Sequence, residues 1–136
     1  MSYRTGKFWQ PDITVATIVE REGLLLMVEE RVAGKVVFNQ PAGHLEPNES
    51  IQQAALRDTL EATGWHVELI GFIGGYQWKA PETGKQFLRL AFSAKALSQD
   101  AGRKLDEGII AAHWLSPAAI RALAKQHRSP LVWQSI

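Results

Sequence analysis

The sequence predicts an α+β fold in which a mixed sheet is held between helices. Three observations carry this expectation. Apolar, β-branched runs come in pairs, as at residues 13–19 and 24–30. Two later stretches carry helix start and stop signals, and 136 residues with 46% hydrophobic content suit one ordinary core, so residues 1–136 are expected to form a single domain.

Residues 13–19 alternate in a strand pattern and are followed, after Glu20-Arg21-Glu22-Gly23, by a second run at 24–30, which together read as a hairpin. After Ala33-Gly34, residues 35–38 form a short extended segment that delivers the chain to a loop at Gln40-Pro41-Ala42-Gly43. Ser50 followed three residues later by Gln53 is the spacing of a capping box, which starts a helix at Ile51, and Gly64 stops it. Residues 66–76 are strand-like, 79–85 are a turn-rich loop, and 87–95 resume strand character. A polar loop at 99–108 leads to a last strand at 109–115. Ser116-Pro117 then caps a second helix expected to run to about Gln126, and the tail ends apolar around Leu131, Val132 and Trp133.

On the first helix, Asp58 and Glu61 fall about 60° apart at roughly 100° per residue, beside a sector of Ile51, Ala55 and Thr59 that can pack inward. Two carboxylates on one edge, near a glycine whose carbonyl can turn toward them, offer the hard oxygen donors that Mg²⁺ or Mn²⁺ takes. The same residues also suit a solvated helix face with an Arg57–Glu61 ion pair. Composition excludes other chemistry. Fifteen Lys and Arg against fourteen Asp and Glu give a net charge of +1, so bulk charge offers no surface for nucleic acid. Without cysteine there is no disulfide, thiol nucleophile or thiolate metal site. The start of the chain lacks an apolar signal region, and the longest apolar run, 24–28, is too short to span a membrane. A soluble cytoplasmic protein with no membrane partner is expected, as a monomer or weak homodimer.

Gly43, five residues, Glu49, seven residues, Arg57, then Asp58, Glu61, Gly64 and Trp65 resembles the box of the Nudix hydrolases, G-x5-E-x7-R-E-U-x-E-E-x-G-U, where U is bulky and apolar. Asp58 stands where that pattern has its first helix glutamate and Ala62 where it has its last, and Thr59 replaces an aliphatic residue. The resemblance implies an α/β/α sandwich around a mixed central sheet. It also implies a metal held by the Gly43 carbonyl and Glu61, with Asp58 bound directly or through water, and a supporting Glu49–Arg57 pair. The loop before the last strand often supplies one more acid, here Asp106 or Glu107, of which Glu107 is the candidate ligand. Ala62 removes a carboxylate and is expected to weaken the metal site. The segments NQPAGHLE at 39–46, APETGKQFLR at 80–89 and RSPLV at 128–132 are similar to a phosphatase branch of the family. That branch releases the terminal phosphate from pyrophosphate esters such as hydroxymethylpyrimidine diphosphate, thiamine diphosphate and nucleoside di- and triphosphates.

The expected activity is therefore hydrolysis of phosphoanhydride bonds in a small phosphate ester, dependent on Mg²⁺ or possible with Mn²⁺, with Glu61, Asp58, Arg57 and Glu49 as the catalytic set. The alternatives are a domain that binds a nucleotide or diphosphate without efficient turnover, and an interaction module using sheet edges. Alternation puts Leu88, Leu90 and Phe92 on one face and Arg89 on the other, where it either grips phosphate or faces solvent. His44 and Glu46 follow the loop glycine and either touch phosphate or metal or are solvated. Phe38, Tyr76 and Trp78 either stack on a substrate ring or belong to the core. His66, His113 and His127 have no partner at metal-ligand spacing and are read as structural.

Overall fold

The computed structural model describes residues 8–136. The first seven residues, part of the start of the chain read above for a signal, lie outside the described residues. The elements run β1 (Asp12–Arg21), β2 (Leu24–Val32), β3 (Lys35–Asn39), β4 (Ala42–His44), α1 (Ile51–Thr63), β5 (Trp65–Lys79), β6 (Gln86–Gln99), β7 (Ile109–Leu115), α2 (Pro117–Ala122) and α3 (Leu131–Gln134), with a 3-10 turn at Ala124–Gln126 between the last two. Two-residue turns at Glu22-Gly23 and Ala33-Gly34 have both residues at positive φ, the geometry that matches the twist of antiparallel strands.

The sheet runs in the order β3-β2-β1-β6-β5, with β4 paired to β1 and β7 to β2. It is mixed because β1 and β6 are parallel, from Asp12 opposite Phe87 to Glu20 opposite Lys95, while the other pairs are antiparallel. β5 lies at the end of this order, and three register shifts along it disturb the regular ladder that an outside strand would copy.

Period-two alternation sorts the side chains into two layers. Val15 and Phe92 pack with Ala54 and Ala55 of α1, and Val19 and Leu26 pack with Val67 and Ala94. On the opposite face Leu25 and Met27 pack with Ile120 of α2 and Val132 of α3, and Ile18 joins them. Helices therefore cover both faces, and the architecture is the α/β/α sandwich around a mixed sheet.

The ends of α1 follow the capping signals. Ser50 Oγ accepts from Gln53 N, Gln53 Oε1 accepts from Ser50 N, and Gly64 ends the helix at φ 78°, with its N–H bonded to Leu60 O. Three readings are corrected. The second helix stops at Ala122 instead of Gln126, because Leu123 leaves helical geometry at φ −93°, ψ 15° and a 3-10 turn follows. The tail adds a third helix of four residues, started where Ser129 Oγ accepts from Leu131 N. The loop expected at Gln40-Pro41-Ala42-Gly43 gives way at Ala42 to a three-residue strand, β4, which pairs Ala42, Gly43 and His44 with Ala16, Val15 and Thr14.

Candidate active site

β4 and α1 bring the predicted acidic residues together, with Arg57 at their centre. Its Nε and Nη2 donate to the two oxygens of Glu49 at 3.0 and 2.6 Å, a two-pronged contact that fixes the guanidinium plane. Nη2 also donates to the His44 carbonyl at 3.2 Å. The remaining nitrogen, Nη1, faces three carboxylates: Asp58 at 2.8 Å, Glu61 at 2.9 Å and Glu46 at 3.3 Å. The Arg57 hydrogen bonds hold the Glu49 carboxyl below its usual range. Glu49 also accepts from Glu46 N at 2.8 Å, which ties the loop to the helix through the same carboxylate.

Helical angle puts Asp58 on an acidic edge, but the residue is only 7% exposed. It lies against Gly43, where a Cβ would come within 2.6 Å of its carboxyl, so a side chain at 43 would displace the acid. Oδ2 of Asp58 is buried without a hydrogen-bond partner. Burial raises its pKa to about 7, against the opposing pull of Arg57. Ala62, one turn on, is 5% exposed, and Thr59 is fully buried with its hydroxyl 2.7 Å from that of Thr17.

These residues fit a hard divalent ion by donor type, since the side-chain ligands offered are carboxylates, one of them carrying an unpartnered buried oxygen. Among the described residues no three acidic or imidazole side chains stand ready to hold a metal together. The common neighbour of Glu46, Asp58 and Glu61 is the Arg57 nitrogen. Glu107 enters none of these ion pairs and is exposed, on a loop tied to the last turn of α1 by Asp106 N donating to Glu61 O at 3.0 Å.

A cavity of about 180 Å³ opens beside β4, lined among others by Gly43, His44, Trp78, Phe87, Arg89 and Arg128. Arg89 is 4% exposed, not solvent-facing. Its Nη1 donates to Gln40 Oε1 at 2.7 Å and its Nη2 to Asn39 Oδ1 at 3.0 Å, while Nε has no partner. Burial lowers its pKa to about 10, with Arg128 adding to the fall and Glu30 opposing it, so the group stays cationic at neutral pH. Trp78 stacks on Phe87 at 5.8 Å between centroids and 21° between planes.

The other expected ring contacts lie elsewhere. Phe38 packs toward His113, 6.4 Å between centroids, and the Tyr76 ring folds over Gly74. The three remaining histidines hold structure: His113 pairs with Glu29 at 2.9 Å, His66 with Asp100 at 3.2 Å, and His127 bonds the Ile120 carbonyl at 2.8 Å. Glu30, Arg128 and Ser129 also line the cavity, and the amides of Asn39 and Gln40 hold Arg89; the sequence marked all but Glu30 only as parts of the segments at 39–46 and 128–132, without a site role. Buried amides directly before Pro41 were the available signal.

The NUDIX domain model matches residues 10–134. The chain is 40% identical over 128 residues to the phosphatase NudJ of Escherichia coli K12, covering 94% of this chain and 82% of that protein. A solved NUDIX hydrolase from Nitrosomonas europaea superposes with a TM-score of 0.90 at 45% identity, over 93% of this chain and 86% of the other. A UDP-X diphosphatase structure shares the fold at a TM-score of 0.77 and 15% identity, over 96% of this chain and 63% of that one.

Proposed function

Because the chain belongs to the Nudix hydrolase family and is an enzyme of that kind, we propose that it hydrolyses phosphoanhydride bonds of small organic diphosphates or nucleoside di- and triphosphates, releasing the terminal phosphate. The observation that carries this reading is the meeting, at Gly43, of a four-carboxylate cluster and a cavity lined by two arginines. Relatives named as phosphatases support it.

The Gly43 carbonyl, Glu61 and Asp58 would hold the ion, Mg²⁺ or Mn²⁺, and Glu107 becomes a further ligand only if its loop turns inward. When bound, such an ion neutralises phosphate oxygens and makes an attacking water more acidic. The Glu49–Arg57 contact keeps α1 and the β4 loop in register. Arg89 grips phosphate, and Trp78 and His44 border the organic part, whereas Phe38 and Tyr76 are not among the cavity-lining residues. In the reaction the water oxygen bonds to the terminal phosphorus and the bridging P–O bond breaks. Its electron pair stays on the organic phosphate, and a cluster carboxylate takes the water proton. The reading needs neither nucleic acid nor membrane, and a monomer or weak homodimer in the cytoplasm suffices.

Ala62 favours a second reading, tight binding with little turnover, because the chain would offer a divalent ion one carboxylate fewer than the family pattern does. Phosphorus NMR of an early time point, with a nucleoside triphosphate and Mg²⁺ or Mn²⁺, tests the proposal. Orthophosphate and a diphosphate are expected first, and Glu61→Gln should lose on the order of 100-fold or more in rate. Pyrophosphate as the first product, or an unchanged rate in a folded Glu61→Gln, overturns it.

A further inference from the structure

The sheet separates the cavity from the carboxylates. Val15, Leu90 and Phe92 face α1, so their neighbours Thr14 and Arg89 point to the opposite side. Thr14 is paired with Arg89 on one flank and with His44 on the other, which forms one row across β6, β1 and β4 beneath the cavity. Gly43 is the exception, a lining residue of the cavity whose Cβ direction points at Asp58. A substrate reaching both places crosses at Gly43.

On the cavity side stand two guanidinium groups, of Arg89 and Arg128, and among the described residues neither forms an ion pair with a carboxylate. Arg89 is buried and hydrogen-bonded only to neutral amide oxygens, with its Nε unpartnered, so its positive charge is kept dry with no carboxylate at ion-pair distance and Glu30 acting on it only from farther off. Such burial is costly unless an anion completes it. Arg128 is positioned by its backbone, whose N–H donates to Phe38 O at 2.8 Å, while Gln40 Nε2 bonds Val132 O and so pins the same segment to Arg89 through one side chain. The stacked Trp78 and Phe87 supply a flat apolar wall in the same space.

We propose that Arg89 and Arg128 form an anion subsite for the phosphate that remains on the organic part of the substrate, with the adjoining ring laid against Trp78 and Phe87. The proposal rests on the hydrolytic reading above and adds Arg128 and Phe87 to it: the monophosphate ester left after hydrolysis has its phosphate and ring on the cavity side of the sheet. Glu30, in the same cavity, sets the limit on how much negative charge the subsite accepts.

Calorimetric titration of the full chain with phenylphosphonate, a nonhydrolysable mimic of such a monoester, in metal-free buffer tests it. Binding is expected in the wild type and weakened about tenfold in Arg128→Ala, the loss of one charge-assisted contact. Arg128→Lys should recover part of it, since a point charge replaces the fork. Methylphosphonate, which lacks the ring, should bind more weakly than phenylphosphonate. Arg128→Ala should also raise KM more than it lowers kcat. Arg128 is exposed, so its variant keeps the test usable if Arg89→Gln fails to fold. No phosphonate binding, or equal affinity in wild type and Arg128→Ala, overturns the subsite. Metal-dependent hydrolysis that survives this result leaves the hydrolytic reading standing. Phosphonate binding dependent on Arg128 without any hydrolysis does the reverse.

Discussion

The hydroxyls of Thr17 and Thr59 lie 2.7 Å apart where β1 meets α1, and both residues are fully buried. Thr59 donates to Ala55 O at 2.7 Å, so Thr17 must be the donor between the two hydroxyls. The polar residue that stands in an aliphatic position of the Nudix box is thus matched by a partner on the strand. Thr59→Val alone strands the Thr17 hydroxyl and should cost about 1–3 kcal/mol. The double valine variant should be less destabilised than the sum of the two singles. Urea melts of all four proteins measure this, and additive losses would mean that the pair does not act as one.

Removing the Arg57 charge should be felt through four carboxylates at once. Arg57→Gln leaves Glu46, Glu49, Asp58 and Glu61 facing one another and should lower the melting temperature. Added Mg²⁺ should return part of that stability, because an ion replaces the lost cation. Thermal melts with and without Mg²⁺ check it; an equal deficit in both conditions would separate Arg57 from the metal site.

Ala62→Glu restores the carboxylate of the family pattern at a position 5% exposed, i+4 from Asp58. It should lower the Mg²⁺ concentration for half-maximal activity while lowering Tm, since a new buried carboxyl costs about 1–3 kcal/mol. Activity titrated against Mg²⁺, beside a melting curve, decides the matter. A lower Tm with unchanged metal dependence would place Ala62 beneath the site instead of beside it.

Burial raises the Glu30 carboxyl above its usual range, against the opposing pull of Arg128 and Arg89. The folded protein holds that proton more tightly than the unfolded chain. The resulting stability is present below the unfolded value and is lost as pH rises through the folded one. Glu30→Gln should therefore melt higher than wild type at neutral pH, and this advantage should vanish in acid. Melts from pH about 4 to about 8 test the sign.

The elements that repeat a pattern over many residues were legible in the sequence: the β1–β2 hairpin, both caps of α1, and the alternation that turns Arg89 away from Leu88 and Leu90. The Glu49–Arg57 contact followed from box spacing. What local pattern could not supply was depth and distant pairing. Helical angles place Asp58 on an edge, but only the approach of Gly43 from β4 buries it. Arg128 lies far along the chain from Asn39 and Gln40, and although RSPLV at 128–132 stands out in the sequence, only the fold brings it to the cavity. The four-residue α3 and three-residue β4 are too short to carry a period.

The parallel pairing of β1 with β6 also bears on how the protein is made. Residues 13–19, ITVATIV, are uncharged, free of proline and strong in β-propensity, the composition of a self-associating strand. β1 finds only short ladders with β2 and β4, and its nine-residue partner is not synthesised until the chain has passed Lys95. During that interval the central strand of the finished sheet is a sticky, half-paired segment of the nascent chain. A ribosome-bound fragment ending before β6 should aggregate or recruit a chaperone more readily than one extended past Lys95.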